Sequence, residues 1–225
     1  RRYMNNEHTL IGNNGLTIGD LASFWQAIAK EFSTFKNIYG YGLMNEPHDL
    51  APETKWFDMA QASINAIREV DTNTLIMVGG NDWSSAERWI EQSDTLKFLK
   101  DPANNLAFEA HVYFDKDASG TYKYSYEEEE CYLEKGIDRV KPFVEWIKQN
   151  KFHGFIGEYG IPDNDPRWNE TLDLFLGYLQ ENGINGTYWA AGPWWDSYFM
   201  AITPKDGKDR PQMPIIEKYT STFKK

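Results

Sequence analysis

The chain has 225 residues, with 23 Lys and Arg against 34 Asp and Glu, a net charge of −11 at pH 7 and a pI near 4.9. That balance argues against nucleic acid or an anionic membrane as partner, since both are met by clustered Lys and Arg. Hydrophobic residues at 41% and aromatics at 16% are ample for a packed core, and no run approaches the ~20 apolar residues of a membrane helix. One cysteine, Cys131, allows neither an internal disulfide nor a thiolate zinc site, and His8, His48, His111 and His153 lack an HExxH spacing.

In chain order, residues 18–33 place Leu21, Phe24, Trp25, Ile28 and Phe32 on one face, which predicts an amphipathic helix. A buried strand over 38–45 follows. Residues 53–69 repeat the helical spacing with Trp56, Phe57, Ala60, Ile64 and Ile67, and strands follow over 74–79 and 106–113. The acidic, Tyr-rich stretch 115–130 reads as a solvated loop, with a place at the rim of a cleft as its second reading. A helix over 132–149 carries Leu133, Ile137, Val140, Val144 and Ile147, with Pro142 as a kink or restart. After a strand over 154–158, a helix over 166–182 buries Leu172, Phe175, Leu176 and Leu179 and stops at Asn182-Gly183. The last strand covers 186–191. Alternating strands and helices imply parallel strands joined by right-handed crossovers.

A closed (β/α)8 barrel fits in about 200–250 residues, but five strands in 225 residues leave 225/5 = 45 residues for each. The pattern is therefore an open α/β sheet or most of a barrel without its first strands. No GxGxxG opens a helix after any strand, which removes a Rossmann-type enzyme.

The C-terminal ends of these strands, where parallel α/β folds bind ligands, carry polar and aromatic residues: Asn45-Glu46-Pro47-His48-Asp49, Asn81-Asp82-Trp83, His111 and Tyr113, Glu158-Tyr159-Gly160, and Trp189. His111 and Tyr113 are two apart and share a strand face; Glu109 shares it deeper down and reads as structural. Tyr41 to Asp49, taken with Gly79 to Trp83, Glu109 to Tyr113, Ile156 to Gly160 and Gly186 to Gly192, resembles in order strands four to eight of glycoside hydrolase family 5, the cellulase family of (β/α)8 barrels. The resemblance runs from about Arg2 to Tyr219. The family's second-strand Arg and third-strand His have no counterpart, and Arg1-Arg2-Tyr3 reads like the loop just past the third strand.

The resemblance implies that Glu46 is the acid/base and Glu158 the nucleophile, that Tyr113 donates to the nucleophile, that Asn45 holds the sugar 2-hydroxyl, and that His111 supports the pair. Retaining glycoside hydrolysis needs two carboxyls about 5–5.5 Å apart; two glutamates 112 residues apart meet only if a fold gathers their strand ends on one rim. Trp189, Trp83, Asn81 and Trp195 are expected at the substrate, the tryptophans as sugar-stacking platforms.

The expectation is thus the C-terminal five strand-helix units of one (β/α)8 catalytic domain over residues 1–225. It would act as a secreted retaining endo-β-1,4-glucanase with no metal and no cofactor, on a polysaccharide or oligosaccharide. A missing N-terminal barrel segment, from the same or a second chain, would complete it. A β-mannanase or other β-glycanase with the same glutamates stays open, as does a non-catalytic carbohydrate-binding fragment.

Overall fold

The computed structural model describes residues 2–4 and 7–220. A short antiparallel hairpin, β1 (Arg2–Met4) with β2 (Glu7–Thr9), comes first. Sequence reading places Arg2 and Tyr3 in a loop; they form an edge of this hairpin, and Arg1 lies outside the described residues. The main sheet has five parallel strands in the order β3 (Gly40–Gly42), β4 (Leu75–Gly79), β5 (Leu106–His111), β6 (His153–Tyr159) and β7 (Asn185–Tyr188). All five overlap the spans expected from the hydrophobic runs; β3, β4 and β5 fall inside theirs, β6 extends one residue past each end, and β7 starts one residue early and ends at Tyr188. Sequential neighbours pair directly, as a singly wound (β/α) barrel sheet requires.

The chain divides into two compact units, Arg1–Glu109 with Ile147–His153, and Ala110–Trp146 with Gly154–Lys225. In the first, α1 (Ile18–Phe32) opens on a reciprocal cap: Thr17 Oγ1 accepts from the Asp20 amide at 3.1 Å, and Asp20 accepts from the Thr17 amide at 2.7 Å. Its expected apolar face is only partly covered. Phe24 and Phe32 are exposed and Ala29 is the helix's buried residue, because periodicity marks a face as apolar without stating what packs on it. Helix α2 (Trp56–Arg68) behaves as expected, burying Trp56, Ala60, Ile64 and Ile67. Trp56 donates its indole N–H to the Gly79 carbonyl at 2.7 Å, which ties the helix to the end of β4. Arg68 makes a two-pronged contact with Asp101 (2.7 and 2.9 Å), fastening the end of α2 to the segment that enters β5. Burial pushes the Asp101 carboxyl up, but Arg68 and the Asn105 and Ala103 amides outweigh it and hold it below its usual range.

Between β4 and β5 the chain makes α3 (Asn81–Ser84), α4 (Trp89–Ser93) and a 3-10 turn (Asp94–Phe98). These are too short to show periodicity.

In the second unit, α5 (Lys135–Asn150) is continuous through Pro142, so no restart occurs there. Leu133 precedes the helix and is exposed. Helix α6 (Pro166–Glu181) starts on Asp165, whose carboxylate accepts from the Arg167 amide at 2.9 Å, and ends at Asn182 with Gly183 at φ +66°. Its Phe175 packs against Phe114 and Tyr159 at 5.2 and 5.5 Å between ring centres. A last helix, α7 (Met213–Tyr219), fastens to α6 through Lys218 and the Tyr219 hydroxyl, both on Asp173.

The stretch 115–130 is irregular, as expected, but not simply solvated. Asp115 is fully buried and Glu129 nearly so. Asp115 accepts from the amides of Gly120, Thr121 and Tyr122 and from the Ser119 hydroxyl, and Glu129 accepts from those of Lys116 and Tyr124. A carboxylate that collects backbone N–H groups can be buried because they replace its water; composition counts such a residue only as charge.

Candidate active site

Glu158 lies near the C-terminal end of β6 with its side chain 13% exposed. The Tyr113 hydroxyl donates to its Oε2 at 2.8 Å, and His111 Nδ1 stands 3.6 Å from the same oxygen. β5 ends at His111, two residues short of the expected strand, but the chain runs on beside β6, and His111 and Tyr113, two apart, bring both side chains to one carboxylate. The ladder beneath them is intact, Val112 N–H donating to the Glu158 carbonyl at 3.0 Å.

Trp189 follows β7. Its amide donates to the Tyr159 carbonyl at 2.8 Å, and its own carbonyl lies where a side chain on Gly160 would stand. Only glycine permits that approach. The Trp189 indole is half-buried and meets Trp195 edge-on at 4.9 Å; Trp195 in turn lies 5.0 Å from Tyr198. Neither tryptophan belongs to the buried core. Tyr198 was not legible in the sequence. Burial raises its hydroxyl pKa, and the charges of Glu158 and Asp115 add to the rise, while a hydrogen bond with Trp189 opposes it. Its residue type occurs thirteen times in the chain, and no spacing marks this one.

In the first unit, Asn45 and Glu46 sit in the turn just beyond β3, with Glu46 at φ +47°. They help to line a cavity of about 280 Å³ with Met44, Leu10, Ile11 and Trp56. A non-glycine residue held at positive φ is strained and persists where its surroundings over-determine it. The same holds over Asp82, Trp83 and Ser84, with φ of 54°, 57° and 56°. That turn presents Trp83, 43% exposed, to His48, whose ring stacks on the indole at 4.4 Å and 14°. His48 also contacts Asp49 at 2.9 Å, and Asp82 is paired with Arg88. The Asn81 side-chain amide donates to the Gln92 carbonyl at 2.8 Å and its backbone N–H to Ser93 Oγ at 2.9 Å.

Parallel strands in sequential order, with carboxylate, imidazole, phenol and indole side chains at their C-terminal ends, place the chain in the (β/α)-barrel class. The model of the Cellulase (glycosyl hydrolase family 5) family matches residues 2–194, and the chain belongs to that family. Endo-beta-1,4-glucanase B of Emericella nidulans is 36% identical over 193 residues, covering 84% of this chain and 56% of the relative. Among solved structures, the Pseudomonas stutzeri endoglucanase Cel5A superposes with a TM-score of 0.88 at 39% identity over 98% of this chain and 67% of its own. XacCel5A in complex with cellopentaose gives 0.83 at 38%, over 93% and 68%. The chain spans about half to three-fifths of the length of the curated relatives it matches.

Proposed function

We propose that the protein hydrolyses internal β-1,4 linkages of glucans with retention, Glu158 acting as nucleophile and Glu46 as acid/base. The observation that carries this reading is the Tyr113–Glu158 hydrogen bond at the C-terminal end of a parallel sheet in a family 5 chain. The substrate class is supported by curated relatives named endo-beta-1,4-glucanases and by the similar structure of XacCel5A, which is in complex with cellopentaose.

In the first step a Glu158 oxygen attacks the anomeric carbon while the Glu46 carboxyl protonates the departing glycosidic oxygen. In the second, Glu46, now a carboxylate, takes a proton from water, and that water displaces Glu158 from the anomeric carbon. Tyr113 stabilises Glu158 as a carboxylate before attack and after release. Asn45 is placed to hold the 2-hydroxyl, a contact that strengthens in the transition state. Trp189, with Trp195 at its edge, offers a stacking face to a pyranose ring, and Trp83, backed by His48, offers a second. Asn81, held by Gln92 and Ser93 in the turn that carries Trp83, adds a polar substrate contact. The reaction as written needs no metal or organic cofactor.

The complete protein, in this reading, contains a single (β/α)8 catalytic domain in which further strand-helix units pair with β3 and β7. It acts outside the cell, where an insoluble polymer is found; among the described residues, no helix is long and apolar enough to cross a membrane. The test is the fall in viscosity and the rise in reducing ends with carboxymethylcellulose, run beside β-mannan. Rapid viscosity loss on the glucan is expected, and equal or faster cleavage of mannan would reassign the substrate.

A further inference from the structure

The strand ladder under the candidate nucleophile stops in an unusual way. Val112 N–H donates to the Glu158 carbonyl, so in a regular parallel ladder the next rung joins the Phe114 N–H to the Gly160 carbonyl. The Tyr122 hydroxyl occupies that rung instead. It accepts from the Phe114 N–H at 2.9 Å and donates to the Gly160 carbonyl at 2.6 Å.

We propose that the loop 115–122 is a positioning device for the nucleophile, with the Tyr122 hydroxyl wedged into the ladder to set the spacing at which Tyr113 reaches Glu158. This rests on the reading of Glu158 as nucleophile. Tyr113 immediately precedes Phe114, and Glu158 lies two residues before Gly160, so the wedge spans the two chain segments that carry the 2.8 Å hydrogen bond. An inserted oxygen holds the ends apart by one extra hydrogen bond where a direct rung would draw them together.

The loop is built to hold that hydroxyl in place. Asp115, fully buried, draws the amides of Gly120, Thr121 and Tyr122 onto one carboxylate and so folds the loop back under the strand ends. The Tyr122 ring is fixed edge-on by Trp168 at 5.0 Å and by Phe199 at 6.3 Å. Gly120, at φ +72°, lies against the Tyr113 ring so closely that an added Cβ would stand 2.9 Å from it. From the helix side, Arg139 donates to the carbonyls of Tyr113 and Lys116, holding both ends of the turn. Tyr113 is thus gripped at its carbonyl, at its ring and through the amide of the next residue, which leaves its hydroxyl one position relative to β6. Without the Tyr122 oxygen, the Phe114 amide and the Gly160 carbonyl must either close on each other or stay buried without a partner, and both outcomes disturb that position.

The test is Tyr122→Phe, which keeps the ring and removes the wedge. The Glu158 carboxyl is titrated by carbon NMR in glutamate-labelled protein, and the pH profile of kcat/KM is recorded in parallel. Within this unit Tyr113 and His111 face Glu158 and Tyr198 feels its charge, so Tyr113→Phe serves as reference and the double variant closes the cycle. The expected result is a Glu158 titration moved upward by about half a pH unit or more and kcat lower by about 10-fold with KM nearly unchanged. The double variant should be no worse than Tyr113→Phe alone. A Tyr122→Phe protein that loses thermal stability but keeps the wild-type titration and acid limb overturns the proposal. Should that variant be recovered only unfolded, Gly120→Ala, which drives into the Tyr113 ring, decides by the same readouts. Because the titration requires no turnover, a wild-type protein that cleaves no β-1,4-glucan while its Glu158 titration responds to Tyr122→Phe defeats the assigned activity and leaves the positioning role standing.

Discussion

The Tyr113 hydroxyl donates to Oε2 of Glu158 at 2.8 Å, joining the residue just past β5 to the penultimate residue of β6. A hydrogen bond donated to a carboxylate favours its charged form, and an attacking glutamate must be charged. Tyr113→Phe should therefore raise the lower pKa of the kcat/KM profile and reduce activity by about 10- to 100-fold. An unmoved acid limb in the variant would show that the contact is structural only.

The two glutamates should separate by substrate. Glu158→Ala removes the nucleophile and should abolish turnover of polymer and aryl cellobioside alike. Glu46→Ala should retain formation of the glycosyl-enzyme from aryl glycosides with acidic leaving groups, which need little protonation. Burst kinetics with a dinitrophenyl cellobioside check this, and identical losses for both variants on both substrates count against the assignment.

Double displacement returns the starting configuration. Proton NMR of the first product released from a β-1,4-glucan should show the β-anomer before mutarotation. An α-anomer formed first would mean a single inversion with water as nucleophile.

Trp189 is half-buried with Trp195 at its edge, outside the packed core. Trp189→Ala should cost substrate affinity, with KM on cello-oligosaccharides raised by about 10-fold or more, and should cost less stability than the ~3–5 kcal/mol of a core aromatic truncation. Thermal unfolding beside steady-state kinetics distinguishes a stacking platform from a packing residue.

Asp71 provides an acid-stability test away from the site. Burial alone would raise its pKa, but hydrogen bonds from Thr74, Asn73 and the Tyr41 hydroxyl outweigh it and bring the carboxyl down to about 2. A depressed carboxyl stabilises the fold above its unfolded pKa, and that contribution disappears as pH falls through the folded value. The gap between the two is worth about 2 kcal/mol. Wild-type stability should therefore decline between about pH 4 and pH 2 more steeply than that of Asp71→Asn, as urea unfolding across that range would show.

Much of the scaffold could be read from residue patterns. The apolar runs that became β4 and β6, and the 3.6-residue stripes of α2 and α6, obey periodicities imposed by backbone geometry on any chain. The two-residue spacing of His111 and Tyr113 assigns them to one strand face for the same reason. The elements that escaped are those whose order comes from single contacts. The turn over Asn81–Ser84 is held by Gln92 and Ser93, and α7 is fastened by Asp173; neither leaves a repeating pattern. Phe24 and Phe32 show the opposite failure, a clear stripe that two of its own members leave exposed.

The sequence by itself determined the parallel strand-helix order and which glutamates stand at strand ends, because each depends on local spacing along the chain, and its strand-end motifs resemble those of the family. Only the tertiary structure decided that Tyr113 and His111 share one oxygen of Glu158, that Trp189 leans on the bare backbone of Gly160, and that Tyr122 stands in the ladder rung between Phe114 and Gly160. Apart from the local Tyr122–Phe114 contact, 8 positions apart, those relations join residues 29 to 47 positions apart through side-chain reach and hydrogen-bond direction. Contact at such separations is decided by packing in three dimensions, which no one-dimensional spacing encodes.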